Sequence, residues 1–469
     1  MKNLNTHLIG GLLALPALFA LTACQNQQAV TEMNQTTNLS SPQTYGSDVA
    51  FLKEHTDAVV LSRGDASIVV VPEYQGRVMT TTAQGDSGSS SGWINYDVVE
   101  AGVLSDADAA GKLEAHMYAF GGEERFWMGP EGGQYSIFFA PDTKFDFADW
   151  FTPDAIDTLP WEVKGQSKDA LVFASEFGLQ NHSGTQFKVG VERTVKLMDV
   201  QGVSDLLGTE IPSSLDLVSY QTVNTVFNKG DAAWEPQSGL LSIWMLCMFQ
   251  PSETTTVFVP YKQGAESELG AVVNADYFGT VPAERLKSEN GVIYFKCDGK
   301  QRGKIGVTPA RSTGVAGSYD PVAKRLTLLI AAEPKDAGNG YVNSMWELQE
   351  EPYKGDALNS YNDGPVDESG EQMGPFYEIE SSSPALALKP GEAATHIQTI
   401  IHFYGSNQAD LAVRGFSQNL TQLRAGIKRH GHQGIHARPH RILVGRCGPV
   451  QEPFRQGGRI IAGKLLQQR

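Results

Sequence analysis

The chain has 469 residues, a formal net charge of −16 and 41% hydrophobic side chains. That length and apolar content support one large domain or two medium ones and exclude disorder for the bulk of the chain. The acidic balance excludes nucleic-acid binding by the core, and four cysteines exclude a disulfide-stapled scaffold.

The N-terminus reads as a targeting segment. Lys2 gives a positive start, and the apolar run 8–21 is too short for a comfortable membrane span. The sequence LTAC closes at Cys24 and resembles a bacterial lipobox. Residues 1–23 are then a lipoprotein signal peptide, and Cys24 becomes the lipidated first residue, carrying palmitate-type chains that anchor the protein to a membrane. An ordinary secretory signal with a chance cysteine is the competing reading. Gln25, rather than Asp, follows Cys24, which implies export to the outer membrane of a Gram-negative-type envelope. Residues 24–47 are polar and nearly uncharged, and read as a flexible tether.

Residues 48–423 carry short alternating apolar runs separated by Gly, Asn, Asp and Pro. They include SIVVVP (67–72), QYSIFFA (134–140), ALVFASEF (170–177), FKVGVERTVKLM (187–198), LVSYQTVNTVFN (217–228), TTTVFVPY (254–261), GVIYFKCD (291–298) and KRLTLLIAA (324–332). Helical periodicity is scarce and no βαβ alternation is present. The pattern predicts an all-β fold, one large antiparallel β-sandwich with few short helices.

Within that domain, FGGEERFWMGPEGGQYSIFF (120–139) packs Glu123, Glu124, Glu131, Arg125, Phe126 and Trp127 around glycine turns. Sugars are bound by such sets: charged groups hydrogen-bond hydroxyls in pairs, and an aromatic face covers the C–H face of the ring. A structural turn with Trp127 in the core is the bland alternative. In WEPQSGLLSIWMLCMF (234–249), Trp234, Glu235 and Trp244 line a cleft or belong to the core. In FKCDGKQRGKIG (295–306), Lys300, Arg302 and Lys304 alternate on one strand face; they suit an anionic sugar or a solvated edge. The polar, aromatic segment 343–365 offers Trp346, Glu347, Tyr361, Asn362 and Asp363. FYEIESSSPALALKPGE (376–392) puts Glu378 and Glu380 on one face of a strand, and a Pro390-Gly391 turn into THIQTIIHF (395–403) predicts a hairpin. Cys247 and Cys297 read as buried thiols, with a disulfide between them as the alternative. No Cys and His spacing suits a metal, and no cofactor is implied.

Residues 424–469 hold ten Lys or Arg and one acid, giving +9, so the rest of the chain carries −16 − 9 = −25. This basic tail suits an anionic polymer, or it is a non-native extension. The abrupt change of composition after the helix-like segment 409–423 favours the second reading, and disorder is expected under both.

With these pieces in order, the chain resembles the galactose mutarotase-like superfamily, the supersandwich fold of aldose 1-epimerases. GGEERFW (121–127) resembles an early glycine-rich turn reaching an arginine and an aromatic. Residues 220–246 occupy the place of the family's N-T … G-x-H-P-Y-F region. Glu378 lies twelve residues before Pro390, as the family's late glutamate does before its turn. More closely, NSYNDGP (359–365) and FYEIESSSPA (376–385) resemble an uncharacterised group of bacterial lipoproteins in the superfamily.

The resemblance covers about residues 50–405. It implies a carbohydrate ligand, with Glu378 as general base at the anomeric hydroxyl and Glu380 as the fallback. Arg125, Trp127, Glu124, Glu131, Trp346, Asn362, Asp363 and Arg302 are the implied substrate-binding residues. The family's acid on the ring oxygen is a histidine, and the matching run 239–249 has none. Epimerase-like, lyase and hydrolase chemistry stay open, as does a non-catalytic glycan-binding or structural envelope lipoprotein. Nothing in the sequence bears on oligomeric state.

Overall fold

The computed structural model describes residues 43–334, 338–365, 370 and 372–405. The signal segment 1–23, Cys24, most of the tether, the segment 409–423 and the tail 424–469 lie outside the described residues.

Helix α1 (Tyr45–His55) opens the described chain. Thr44 caps it reciprocally: the Thr44 hydroxyl accepts from the Ser47 amide, and the Ser47 hydroxyl accepts from the Thr44 amide. Tyr45 and Leu52 are buried, and Asp48 accepts from the hydroxyls of Ser90 and Tyr96. The helix therefore removes residues 45–47 from the segment read as tether. Its apolar residues do not gather on one face, so periodicity gives little sign of it.

The described strands, in chain order, are β1 (Val59–Arg63), β2 (Ala66–Val71), β3 (Arg77–Thr82), β4 (Arg125–Gly129), β5 (Glu162–Gln166), β6 (Ala170–Gln180), β7 (Gln186–Leu197), β8 (Asp216–Asn228) and β9 (Ser242–Phe249). They continue with β10 (Thr256–Pro260), β11 (Leu286–Glu289), β12 (Val292–Lys296), β13 (Gly303–Val307), β14 (Val315–Asp320), β15 (Arg325–Ala331), β16 (Leu358–Asn362), β17 (Tyr377–Ser382) and β18 (Ala393–Tyr404). Three sheets result. The first is β1-β2-β3. The second has ten strands in the order β11-β12-β10-β14-β15-β18-β8-β7-β6-β5. The third has five, β13-β16-β17-β9-β4. Every strand pair is antiparallel, so the expected all-β, antiparallel architecture is the one observed.

The five-stranded sheet lays one face against the ten-stranded sheet. Phe126, Cys247, Phe249 and Ile379 are buried in that layer. Polar bridges cross it: Ser381 Oγ donates to Gln398 Oε1 (2.6 Å) and meets His396 Nε2 (2.7 Å), and Tyr377 OH meets Ser318 Oγ (2.7 Å). Strand β9 is buried at every position. Its unbroken apolar run, SIWMLCMF, is what a strand covered on both faces requires.

The hairpin expected from residues 376–403 does not form. β17 pairs with β16 and β9, while β18 pairs with β15 and β8. The Pro390-Gly391 turn is present, closed by a bond from the Glu392 amide to the Lys389 carbonyl, but it delivers the chain into the facing sheet. Ten residues separate the strands, too many for a tight hairpin loop. The run 134–140 is likewise not a strand. The Ser136 hydroxyl bonds locally to the Glu131 carbonyl and the Phe138 amide, offering the backbone an alternative to a ladder. Ile137, Phe138 and Phe139 still enter the core. Cys247 and Cys297 are separate buried thiols.

Candidate functional site

The other face of the five-stranded sheet carries the site. Residues paired across strands share a face, so register decides which side chains meet. Lys304, Tyr361, Glu378 and Met248 form one row across β13, β16, β17 and β9. Asn359, Glu380, Leu246 and Arg125 form the next row, and Ser382, Trp244 and Trp127 the third. Strands lie about 4.8 Å apart, so Lys304 and Glu378 are separated by about two strand spacings with Tyr361 between them.

A cavity of about 670 Å³ lies over this face, within the usual range for a small-molecule site. Its aromatic walls are Trp244, Trp346, Tyr277, Phe278 and Tyr361, and its charged lining is Glu131, Arg302, Lys304, Asp356 and Asp363. Asp356 accepts from Tyr277 OH (2.5 Å) and Asn274 Nδ2 (2.9 Å). Asp363 accepts from Tyr361 OH (2.6 Å) and the Gly374 amide (2.9 Å). Lys304 Nζ donates to Glu380 Oε2 (3.2 Å) and lies 5.1 Å from the Trp244 ring centroid.

Beneath the lining is a buried charged layer. Arg125 Nη2 donates to Glu378 Oε1 at 3.0 Å, and the Arg125 guanidinium stacks over Trp127 at 4.1 Å. Trp244 Nε1 donates to Glu380 Oε2 at 2.9 Å. The two glutamates differ in access: the Glu378 side chain keeps 7% of its exposure and Glu380 none. Glu378 thus keeps a little access from the cavity side, whereas Glu380 is covered and held by Trp244 and Lys304.

The electrostatics follow from burial. Desolvation pushes the Glu378 carboxyl up to about 7; Arg125 opposes this and Glu380 adds to it. Desolvation also raises Glu131, Asp356 and Asp363, against the pull of Lys304, Tyr277 and Tyr361 respectively. For Lys304, burial disfavours the ammonium, but Glu380, Glu131 and Glu378 together outweigh it and hold its pKa above the ordinary lysine value. The site thus sets Lys304, Arg302 and Arg125 beside several carboxyls whose proton affinity burial raises. Among the described residues no group of three or more His, Cys, Asp or Glu is gathered as a metal site.

Of the residues singled out in the sequence, Glu131, Trp346, Asp363 and Arg302 line the cavity. Arg125, Trp127, Glu378 and Glu380 lie on the same sheet face below it. Glu124 and Asn362 do not belong to the site. Each precedes or follows a site residue by one position, and strand alternation turns it to the opposite face. Glu124 is buried against Arg193 Nη2 (2.9 Å) and Gln398 Nε2 (2.6 Å). Asn362 bonds the Gly299 amide (2.9 Å) and the Gln301 carbonyl (2.7 Å). Trp234 packs on Phe187 in the core, and Lys300 pairs with Glu253 at the surface.

No histidine is among the residues lining the cavity. His396 and His402 point between the sheets, onto Ser381 and onto Thr327 and Glu123. His116 and His182 bond the carbonyls of Trp150 and Ala140. Tyr277 and Phe278 lie outside every segment singled out in the sequence, and Asp356 and Asn359 fall inside 343–365 without being distinguished there. They sit on loops or short strands brought in by sheet register, and no local pattern marks them.

Glycine has one specific role here. A Cβ on Gly306 would sit 2.0 Å from Asp356 Oδ2 and 2.9 Å from Asn359 Nδ2. Gly306→Ala is expected to displace Asp356 from Tyr277, at about 1–3 kcal/mol of stability, and to weaken ligand binding about tenfold. Urea unfolding and calorimetric titration of the variant check both effects.

An all-β protein with a charged, aromatic-walled cavity over its smaller sheet is the class that fold and site define. The family of unknown function DUF6786 matches residues 43–420, and the chain belongs to it. Among curated proteins, none matches the sequence. Similar solved structures are aldose 1-epimerase and galactose mutarotase-like proteins. A putative aldose 1-epimerase from Escherichia coli K12 is 13% identical, with TM-score 0.43 over 74% of this chain and 99% of its own. A galactose mutarotase-like protein from Clostridium acetobutylicum is 12% identical, with TM-score 0.39 over 73% and 94%. Another, from Lactobacillus casei, is 11% identical, with TM-score 0.37 over 74% and 99%. Likeness at this level concerns the arrangement of strands and assigns neither ligand nor reaction.

Proposed function

We propose that the domain binds a carbohydrate in the cavity over the five-stranded sheet and performs epimerase-like acid–base chemistry on it, with Glu378 as the base. The observation that carries this reading is the row Lys304–Tyr361–Glu378. It supports a carboxylate of raised proton affinity, anchored by Arg125, on the face that the cavity covers. Sugar rings are about as wide as one strand spacing, and Trp244 and Trp346 offer faces for their C–H edges. Glu131, Asp356 and Asp363, all on the lining and all raised by burial, are the candidate acids for a ring oxygen. The lipobox-like sequence ending at Cys24 supports a lipid anchor that would hold this domain at an envelope membrane, where glycans are met.

A second reading is favoured by one observation. The cavity lacks a histidine acid, so a glycan-binding protein without turnover fits the same site. A panel of free aldoses and oligosaccharides separates the two. Binding is followed by calorimetry, and anomer interconversion by proton NMR. Saturable binding is expected, with Trp346→Ala weakening it at least about tenfold. Binding with faster interconversion supports the enzyme, and binding alone supports the second reading. No binding to any saccharide removes both.

A further inference from the structure

Three of the five charged side chains lining the cavity are held by a hydrogen bond or an ion pair. Lys304 is paired with Glu380, Asp356 with Tyr277 and Asn274, and Asp363 with Tyr361 and Gly374. Glu131 lies where Lys304 and Trp346 both favour its ionised form. Arg302 has no ion pair and donates no hydrogen bond among the described residues. Its Nε is shut off from solvent without an acceptor, an arrangement that ordinarily costs about 1–3 kcal/mol and is rare without a purpose. Nor is the side chain loose. Its guanidinium carbon sits over the Phe278 ring, 4.0 Å from the centroid, which restrains the fork while the residue stays half-buried on the cavity wall. Arg302 directly precedes β13, which begins at Gly303 and carries Lys304 two positions on.

We infer that Arg302 is the anion-recognition residue of the cavity, and that the natural ligand is a sugar bearing a carboxylate, sulfate or phosphate group. A guanidinium held over a ring presents a planar pair of donors, the geometry that matches a two-oxygen anion and not a lone hydroxyl. A neutral sugar offers the guanidinium only uncharged hydroxyl acceptors, which leave its charge unpaired. An anionic one pairs it, and its charge also suits the Lys304 ammonium nearby.

The inference rests on the carbohydrate reading above, and the test separates the two. The full chain is titrated with matched ligands: glucose against glucuronate, glucose 6-sulfate and glucose 6-phosphate, and galactose against galacturonate. At least one anionic member is expected to bind about tenfold or more tighter than its neutral partner. The preferred member identifies the anion. Arg302→Gln is expected to abolish that preference by weakening the anionic member about tenfold more than its neutral partner, and Arg302→Lys to restore part of it. A thermal midpoint close to that of the unaltered protein shows that the Gln variant is folded. Equal or tighter binding of the neutral members overturns the inference and leaves the carbohydrate reading standing. So does a preference that survives Arg302→Gln. Absence of binding by every member overturns both.

Discussion

Glu378→Gln is expected to lower kcat/KM for the sugar substrate by about 10²–10⁴-fold, the usual contribution of a general base, while changing binding only a few-fold. The amide keeps the shape of the carboxyl and can still accept from Arg125 Nη2, which now bonds Glu378 Oε1 at 3.0 Å. The proton-accepting capacity is what it loses. The pH dependence follows from the same group. Because burial raises Glu378 to about 7, the base is protonated below that value. The rate should therefore rise about tenfold per pH unit up to neutrality and level off above it. The Gln variant should show no such limb. Its measurement is the initial rate of anomer interconversion across pH, by NMR or polarimetry. A full rate in the variant would assign the base to another carboxyl of the lining.

Stability carries a matching signature. A carboxyl raised on folding holds a proton that the unfolded chain releases. Its contribution is fully present below the ordinary carboxylate range and is lost as pH rises through about 7. Over that window the unaltered protein should lose more stability than Glu378→Gln, whatever their absolute difference.

The fold class was legible because strands half-covered on one face repeat their apolar residues with period two, as β6, β7 and β8 do, while β10, β12 and β15 are short apolar runs between turns. Pairing was not. The sequence of residues 376–403 reads as two strands about a turn, and nothing local says that the turn carries the chain between sheets. The same limit decides the site. Clusters such as 120–139 and 343–365 do mark the segments that build it, yet composition ignores alternation. Glu124 and Arg125 are neighbours in the chain and face opposite ways, as do Tyr361 and Asn362. Asp356 and Tyr277 meet at 2.5 Å from positions 79 residues apart, a contact that register creates and no motif records.

The residue that alternation removes from the site supports the domain instead, and its loss should give the largest stability effect. Arg193 and Glu124 are both fully buried, joined at 2.9 Å. Arg193 also donates to Asn224 Oδ1 (2.6 Å) and the Gly76 carbonyl (3.2 Å), and Gln398 donates to the second Glu124 oxygen. Together these bonds tie β7, β8 and β18 of the large sheet to the residue just ahead of β4 in the small one. Arg193→Met leaves a buried carboxylate short of its cation, which typically costs about 3–5 kcal/mol. That is a large share of the 5–15 kcal/mol or so that a domain commands. Glu124→Gln is also costly, because its amide NH₂ must face either Arg193 or Gln398, both of them donors. The double change Glu124→Leu with Arg193→Met should recover much of the loss, since replacing both partners leaves no charge stranded. Urea unfolding of the four proteins at one pH measures the two losses and the recovery. Sugar affinity, measured where each variant is fully folded, should stay within about twofold of the unaltered protein. If Glu124→Gln instead left stability intact and abolished binding, Glu124 would return to the ligand and the inward face of β4 would have to be part of the site.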